Sequence, residues 1–408
     1  MSAPRTIVAA LLCAALASPA GAAVPANKPV TAKLALPLPS SAGYQPQDKL
    51  EQGLWFEMDE QERLLRQSKF LVTDPALNAY VRGVMCRTVG EARCAATRLY
   101  IVRTPYFNAS MAPNGTTIVY TGLFLRMRDE AQLAAVLGHE YTHFEQRHTL
   151  RLFKDIRAKT DALSWMSFIP IPYLGMLSQI ALIGGIYSFS RDMEREADTG
   201  SLGELVRAGY DPREAAAIWE QLGAENDATA KVRGHKSRKD KNGGMFATHP
   251  KSTERMQSLR DKAAALAAQS KNSAEPGATR AAEYRAALND WWPKLIDDQI
   301  KLQDFGGTEY LLNTLAGSDP AGWTPELLYA KAELHRSRGA AGDFELAVTA
   351  YEAAITSGAT LPETWRGLGL ARLRLGQAEA GRAALRDYLA KRPNAEDALI
   401  LASMAQGV

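Results

Sequence analysis

Apolar side chains recur along most of this chain at helical spacing. Leu54, Met58, Leu64 and Leu65 mark one helix face; Leu77, Tyr80, Val81 and Val84 mark the next, which the Asp74-Pro75 pair starts. The period then shortens. Leu99-Tyr100-Ile101-Val102 and Thr117-Ile118-Val119-Tyr120 are runs rich in β-branched and aromatic residues, as in strands, and Pro113-Asn114-Gly115 turns the chain between them. Helical spacing returns at about 129–147. There Asp129 and Glu130 suit the positive end of a helix dipole, and Ala131, Ala134, Ala135, Val136 and Leu137 supply an apolar face. Residues 187–222 predict more helix with Ser190 in the capping region, 224–247 predict a polar, basic loop, and a helical array begins near 283.

Two stretches break this alternation. Residues 162–190 carry no charge and are strongly apolar, but Pro170 and Pro172 split them and Gly175, Gly184 and Gly185 loosen them. Two readings stand: a buried or substrate-covering helical hairpin, or a segment making peripheral contact with a membrane. At the N-terminus, Arg5 precedes an apolar run from Ile7 to Ala17, and Ala20-Gly21-Ala22 has the small residues a signal peptidase cuts after. Residues 1–22 read as a cleaved secretory signal, with an uncleaved anchor as the competing reading, and 23–47 as an extended lead-in. Export implies an oxidising compartment, where Cys86 and Cys94, the pair left in the mature chain, form a disulfide candidate. With 46% hydrophobic and 23% charged residues over 408 positions, the chain has the composition of a folded protein of two or three domains, and a net charge of +3 argues against a nucleic-acid partner.

The chemistry concentrates at His139-Glu140-Tyr141-Thr142-His143, in a chain with only six His. Residues four apart share a helix face, so His139 and His143 can hold one metal ion while Glu140 takes a proton from a metal-bound water. A catalytic zinc needs three protein ligands and an open position. The metzincin extension fails, because Gln146 and Thr149 stand where it requires Gly and His; His148 is off that register and is expected on the helix surface. A second helix carrying Glu194-Arg195-Glu196-Ala197-Asp198 supplies the alternative: Glu194 as third ligand, and Asp198, on the same face, as the acceptor that fixes a ligand histidine.

These residues, with Ser190-Arg191, Asn108-Ala109, the run from Gly115 to Leu123, Thr248-His249-Pro250 and Arg255, resemble the membrane-linked gluzincin family of HtpX, Oma-type and CAAX prenyl proteases. The C-terminal region resembles tetratricopeptide repeats: Trp365, Leu368, Gly369, Gly381, Leu385, Tyr388 and Pro393 fall at repeat positions, with Arg372 where a Tyr is usual, and Ala332, Gly339, Ala347, Tyr351 and Ala354 form a looser copy. Leader and repeats together are similar to the periplasmic, β-barrel assembly-enhancing branch of that family. The resemblance implies an α+β, zincin-like metallopeptidase domain, mostly helical with a small sheet, over 48–270, followed by an all-α TPR-like domain over 283–408. It implies one Zn2+ per chain on His139, His143 and Glu194, Glu140 as catalytic base, and His249 either as a fourth, autoinhibitory ligand or as a residue that merely leads into a helix before Pro250. It further implies an exposed edge strand at Ile118, Val119 and Tyr120 that pairs with extended substrate. The activity implied is a periplasmic endopeptidase of a Gram-negative bacterium acting on unfolded or misassembled outer-membrane proteins, with the repeats docking the β-barrel assembly machinery. A chaperone or assembly adaptor with proteolysis latched is the alternative.

Overall fold

The computed structural model describes residues 44–159, 189–235, 249, 253–270, 277–317 and 322–407. The leader 1–22, most of the lead-in and nearly all of the apolar run 162–190 lie outside the described residues. No helix among the described residues is long and apolar enough to cross a membrane.

The peptide begins with α1 (Lys49–Leu65), α2 (Pro75–Val89) and a single turn α3 (Glu91–Cys94). Asp74 caps α2 through its side chain on the Leu77 amide, with Pro75 in the first turn. A disulfide joins Cys86 of α2 to Cys94 of α3. The sheet follows: β1 (Arg98–Val102), β2 (Ala109–Met111) and β3 (Thr116–Tyr120), in the order β1-β3-β2. Gly115 closes the turn into β3 at φ 86°, where a side chain would collide with the Ala96 carbonyl. β3 runs parallel to β1, with Leu99 opposite Thr117, and antiparallel to β2, with Ser110 opposite Ile118.

This order corrects the expected substrate edge. Ile118, Val119 and Tyr120 lie in the central strand, paired on both sides, and Ile118 and Val119 are buried. Apolar content alone does not separate an edge strand from a central one; here the richest strand took the middle, where both faces and both edges are covered. Three-residue β2 was not anticipated from the sequence. Among the described residues it pairs with β3 alone.

After the turn α4 (Thr121–Phe124), α5 (Glu130–Glu145) forms the centre of the molecule. Asp129 caps it on the Gln132 amide, and every residue from Ala131 to Phe144 is buried. Arg147, at φ 58°, breaks the helical path, and α6 (His148–Lys159) starts afresh. Ser190 then caps α7 (Arg191–Arg207) on the Met193 amide. α7 lies close against α5: a Cβ on Gly200 would come within 3.0 Å of three Thr142 side-chain atoms.

α8 (Glu214–Val232) extends through the first part of the stretch expected to be loop. Its continuation is held by tertiary contacts: Glu225 is ion-paired with Arg126 at 2.7 Å, and the Thr229 hydroxyl bonds Asp304 at 2.8 Å. α9 (Thr253–Ser270), α10 (Ala281–Leu288), α11 (Trp292–Lys301), α12 (Phe305–Ala316), α13 (Pro325–Arg338), α14 (Asp343–Thr356), α15 (Glu363–Arg374), α16 (Ala378–Lys391) and α17 (Ala398–Gln406) complete the chain. One continuous apolar core runs from Val72 through α5 to Leu288, Ile296, Leu311 and Leu334, so α10–α13 close over the same interior as α5. Arg126, Gln299 and Thr308 tie that junction by buried hydrogen bonds, Arg126 to Gln299 at 3.1 Å and Gln299 to Thr308 at 3.1 Å. Beyond it, α13–α16 bury Tyr329, Ala332, Ala347, Tyr351 and Leu368 in a second core, and α16 and α17 bury Leu385, Tyr388 and Leu401 in a third.

Candidate metal centre

α5 brings the His139 and His143 rings to one face, and their Nε2 atoms stand 3.1 Å apart. α7 delivers Glu194, whose Oε2 is 3.5 Å from His139 Nε2 and whose Oε1 is 3.7 Å from His143 Nε2. His249, just before α9, adds Nδ1 at 3.2 Å from His139 Nε2 and 3.0 Å from Glu194 Oε1. These four residues offer donor atoms all within 4.8 Å of one another, and all four are buried. A tetrahedral ion with bonds of about 2.0–2.1 Å spaces its ligand atoms by roughly 3.3 Å. The separations of 3.0–3.7 Å therefore suit a central ion, and the N3O donor set is one that metals of borderline softness take.

The surroundings reinforce a cation. His139 Nδ1 meets Asp198 Oδ1 at 3.2 Å, which leaves its Nε2 turned to the cluster. Arg255 of α9 grips Asp198 with two bonds of 2.7 and 2.8 Å and reaches Glu194 Oε2 at 2.7 Å. Burial alone would raise the Glu194 carboxyl, but His249 and His139 outweigh it and hold the group far into its ionised form. Burial likewise opposes charge on Asp198, and the bonds from Arg255 and His139 reverse that and lower it. For His139 burial opposes protonation, yet Asp198 and Glu194 push its pKa up to about 9, whereas burial and the neighbouring histidines hold His143 well below the ordinary value. The carboxylates thus favour positive charge at this place.

Glu140, on the same helix, reaches the same cluster. Its Oε1 is 3.4 Å from His249 Nε2 and is a buried oxygen with no hydrogen bond among the described residues. Burial raises its carboxyl, and His249 and His139 pull it back only in part. A carboxyl with an unengaged oxygen and a raised pKa is equipped to receive a proton. Trp219 of α8 sets its ring 6.0 Å from that of His139 and lies under the Arg255 guanidinium at 5.3 Å, and Phe189 stacks on His143 at 4.0 Å.

Residues 75–263, from the start of α2 into α9, match the sequence profile of Peptidase family M48. This stretch resembles a peptidase family M48 domain. The chain is similar to the β-barrel assembly-enhancing protease of Escherichia coli strain K12, 31% identical over 173 residues, which are 39% of this chain and 35% of that protein. It is also similar to the putative β-barrel assembly-enhancing protease of Vibrio cholerae, 27% over 266 residues, covering 62% and 51%, and to the mitochondrial metalloendopeptidase OMA1 of Schizosaccharomyces pombe, 29% over 185 residues, covering 45% and 52%. The chain thus spans between about a third and a half of the length of these relatives.

Sequence reasoning brought His139, Glu140, His143, Glu194, Asp198 and His249 forward, and the fold places all six around one point. It misplaced His148. Because Arg147 ends the α5 path, His148 does not ride on the surface of that helix; it folds back, fully buried, with Nδ1 2.8 Å from His143 Nδ1. Arg255 stood out only by position, with no role attached, and Trp219, alone in an alanine-rich helix, carried no signal at all.

Proposed function

We propose that this chain is a zinc endopeptidase of the bacterial periplasm, held closed in this conformation by His249. The observation that supports it most strongly is the four-donor cluster with an unbonded Glu140 oxygen beside it. Zn2+ on His139, His143 and Glu194 supplies Lewis-acid polarisation of a peptide carbonyl and acidifies water at neutral pH. Glu140 accepts a proton from the attacking water and returns it to the departing amine. His249, with Nδ1 beside His139 and Glu194, would hold the ion as a fourth donor and so exclude that water. The disulfide between Cys86 and Cys94 supports an oxidising compartment.

An extended substrate finds its pairing edge on β2. Tyr120 N–H donates to Asn108 and Ala112 N–H to Thr116, so residues 108 and 112 face β3, and by alternation the backbone groups of Ala109 and Met111 point away from it; both residues are buried in this conformation, so pairing requires that edge to be uncovered. Met111, Pro113, His143 and Phe144 line one small cavity of about 10 Å3 beside the cluster, so a substrate needs the site to open. Backbone pairing reads conformation more than sequence, which favours unfolded or misassembled envelope proteins as substrates. In α13–α17 we read tetratricopeptide-like repeats; a groove lined by Trp292, Tyr329, Arg336, Arg366 and Tyr388 supports docking of a client or of the β-barrel assembly machinery.

Closure by His249 also favours a second reading, an assembly adaptor whose proteolysis stays latched. Cleavage of an unfolded substrate by wild type, His249→Ala and Glu140→Gln, each loaded with zinc, separates the two. The protease reading expects higher activity in His249→Ala and a loss of at least about a hundredfold in Glu140→Gln. Activity surviving in Glu140→Gln refutes the mechanism. An inert His249→Ala that still binds zinc supports the adaptor.

A further inference from the structure

His148 has no part in the donor cluster. Its Nδ1 faces Nδ1 of His143, on the opposite side of that ring from the Nε2 that faces His139 and Glu194. Its other nitrogen, Nε2, lies 2.9 Å from Glu196 Oε2, which also accepts from Arg151 Nη1 at 2.9 Å. His148 is completely buried, whereas Glu196 is 46% exposed at its side chain. The two histidines that belong to α5 are therefore backed differently: His139 meets a carboxylate directly, and His143 meets one through a second imidazole.

Two facing imidazole nitrogens share a hydrogen bond only when one carries the proton and the other accepts. If His143 uses Nε2 for a metal, its proton sits on Nδ1 and is donated to His148 Nδ1. The single proton of a neutral His148 is then on Nε2, where the Glu196 carboxylate accepts it. Each position in the row thus follows from the one before, and the reverse arrangement leaves His148 Nε2 and the carboxylate with no proton between them.

We infer that His148 is a positioning residue for the metal centre: with Glu196 it forms an imidazole relay that fixes the tautomer and ring orientation of His143. The inference rests on the metal-site reading above. Outer hydrogen bonds of this kind raise the basicity of a ligand imidazole, and their loss weakens metal binding about 10–100-fold. The fold builds the relay from three elements, α5, the start of α6 and α7, and the positive φ of Arg147 turns His148 back onto its neighbour.

Zinc affinity of the full chain, measured by competition with a chelating dye, tests it alongside the melting temperature of each metal-free protein. Variants are His148→Phe, which fills the space without a hydrogen bond, His148→Gln, whose amide can accept from His143 and donate to Glu196, and Glu196→Gln. Expected is a 10–100-fold loss of zinc affinity in His148→Phe, partial recovery in His148→Gln and a several-fold loss in Glu196→Gln, with metal-free melting unchanged in the last two. Should His148→Phe fail to fold, the half-exposed Glu196→Gln decides, and wild-type affinity there overturns the relay. Equal affinity in all variants overturns it, as does a loss in His148→Phe with neither recovery by Gln nor an effect at Glu196, because His148 would then only fill space. A wild type that binds no zinc refutes the metal-site reading itself, which is a different result from any of these.

Discussion

Arg255 is the position where stability and metal occupancy are most tightly joined. Its guanidinium is 5% exposed and balances two nearly buried carboxylates at once, Asp198 at 2.7 Å and Glu194 at 2.7 Å. Replacement by Met keeps much of the volume and removes the charge, so in the metal-free protein two buried carboxylates lose their cation. Breaking a buried pair by removing one partner costs about 3–5 kcal/mol. For a folded unit of this size each kcal/mol moves the melting temperature by about 1–2 °C, so metal-free Arg255→Met is expected to melt roughly 3–10 °C below wild type. Zinc changes the balance. It neutralises Glu194 directly and leaves Asp198 as the carboxylate still short of a partner, so the deficit shrinks by roughly half when the ion is present. Melting of both proteins by calorimetry, in excess chelator and in excess zinc, reads out both numbers. If Arg255→Met melts with wild type in chelator, or if its deficit is the same with and without zinc, the electrostatic role assigned to Arg255 is wrong.

Two further outcomes follow from the same geometry. Gly200→Val pushes α7 away from Thr142 of α5 and carries Glu194 off the cluster; a destabilisation of about 1–3 kcal/mol and weakened zinc binding are expected, with Thr142→Ala in the same chain restoring part of both, as denaturant midpoints and dye competition would show. At Glu62, burial opposes ionisation, but bonds from Arg98, Tyr100, Thr116 and Arg66 overcome it and lower the pKa to about 2. Because the folded value is depressed, the stabilisation is complete above the unfolded value near 4.5 and is lost as pH falls toward 2. Glu62→Gln should therefore lower stability at pH 6 by about 2–3 kcal/mol and flatten the dependence between those values, as read from urea midpoints; an unchanged acid limb would refute the assignment.

Local signals in the chain reached far into the site. Capping by Asp74 and Ser190 depends on a side chain reaching an amide three residues on, which is a property of sequence neighbours, and both helices start where the pattern places them; Asp129, read only as suiting the helix dipole, caps α5 in the same way. The placing of His139 with His143, and of Glu194 with Asp198, follows from helical periodicity in the same way. Where a backbone turn intervened, local reasoning failed. His148 was read as if α5 continued, and the left-handed Arg147 sent it inward. The polar segment after Gly223 looked like loop until Arg126 and Asp304, remote in sequence, held Glu225 and Thr229 in a helix.

By itself, the sequence determined the helices that carry His139 with His143 and Glu194 with Asp198, the strand segments 99–102 and 117–120 and the cysteine pair, because each is set by spacing along a few turns of chain. Tertiary structure alone decided that β3 lies in the middle of the sheet and β2 at its border among the described residues, that α10–α13 share the core of α5, that Arg255 lies against Asp198 and Glu194 and that His148 lies against His143. Those outcomes depend on which distant surfaces bury one another, and burial is a property of the assembled chain that no short window of residues contains.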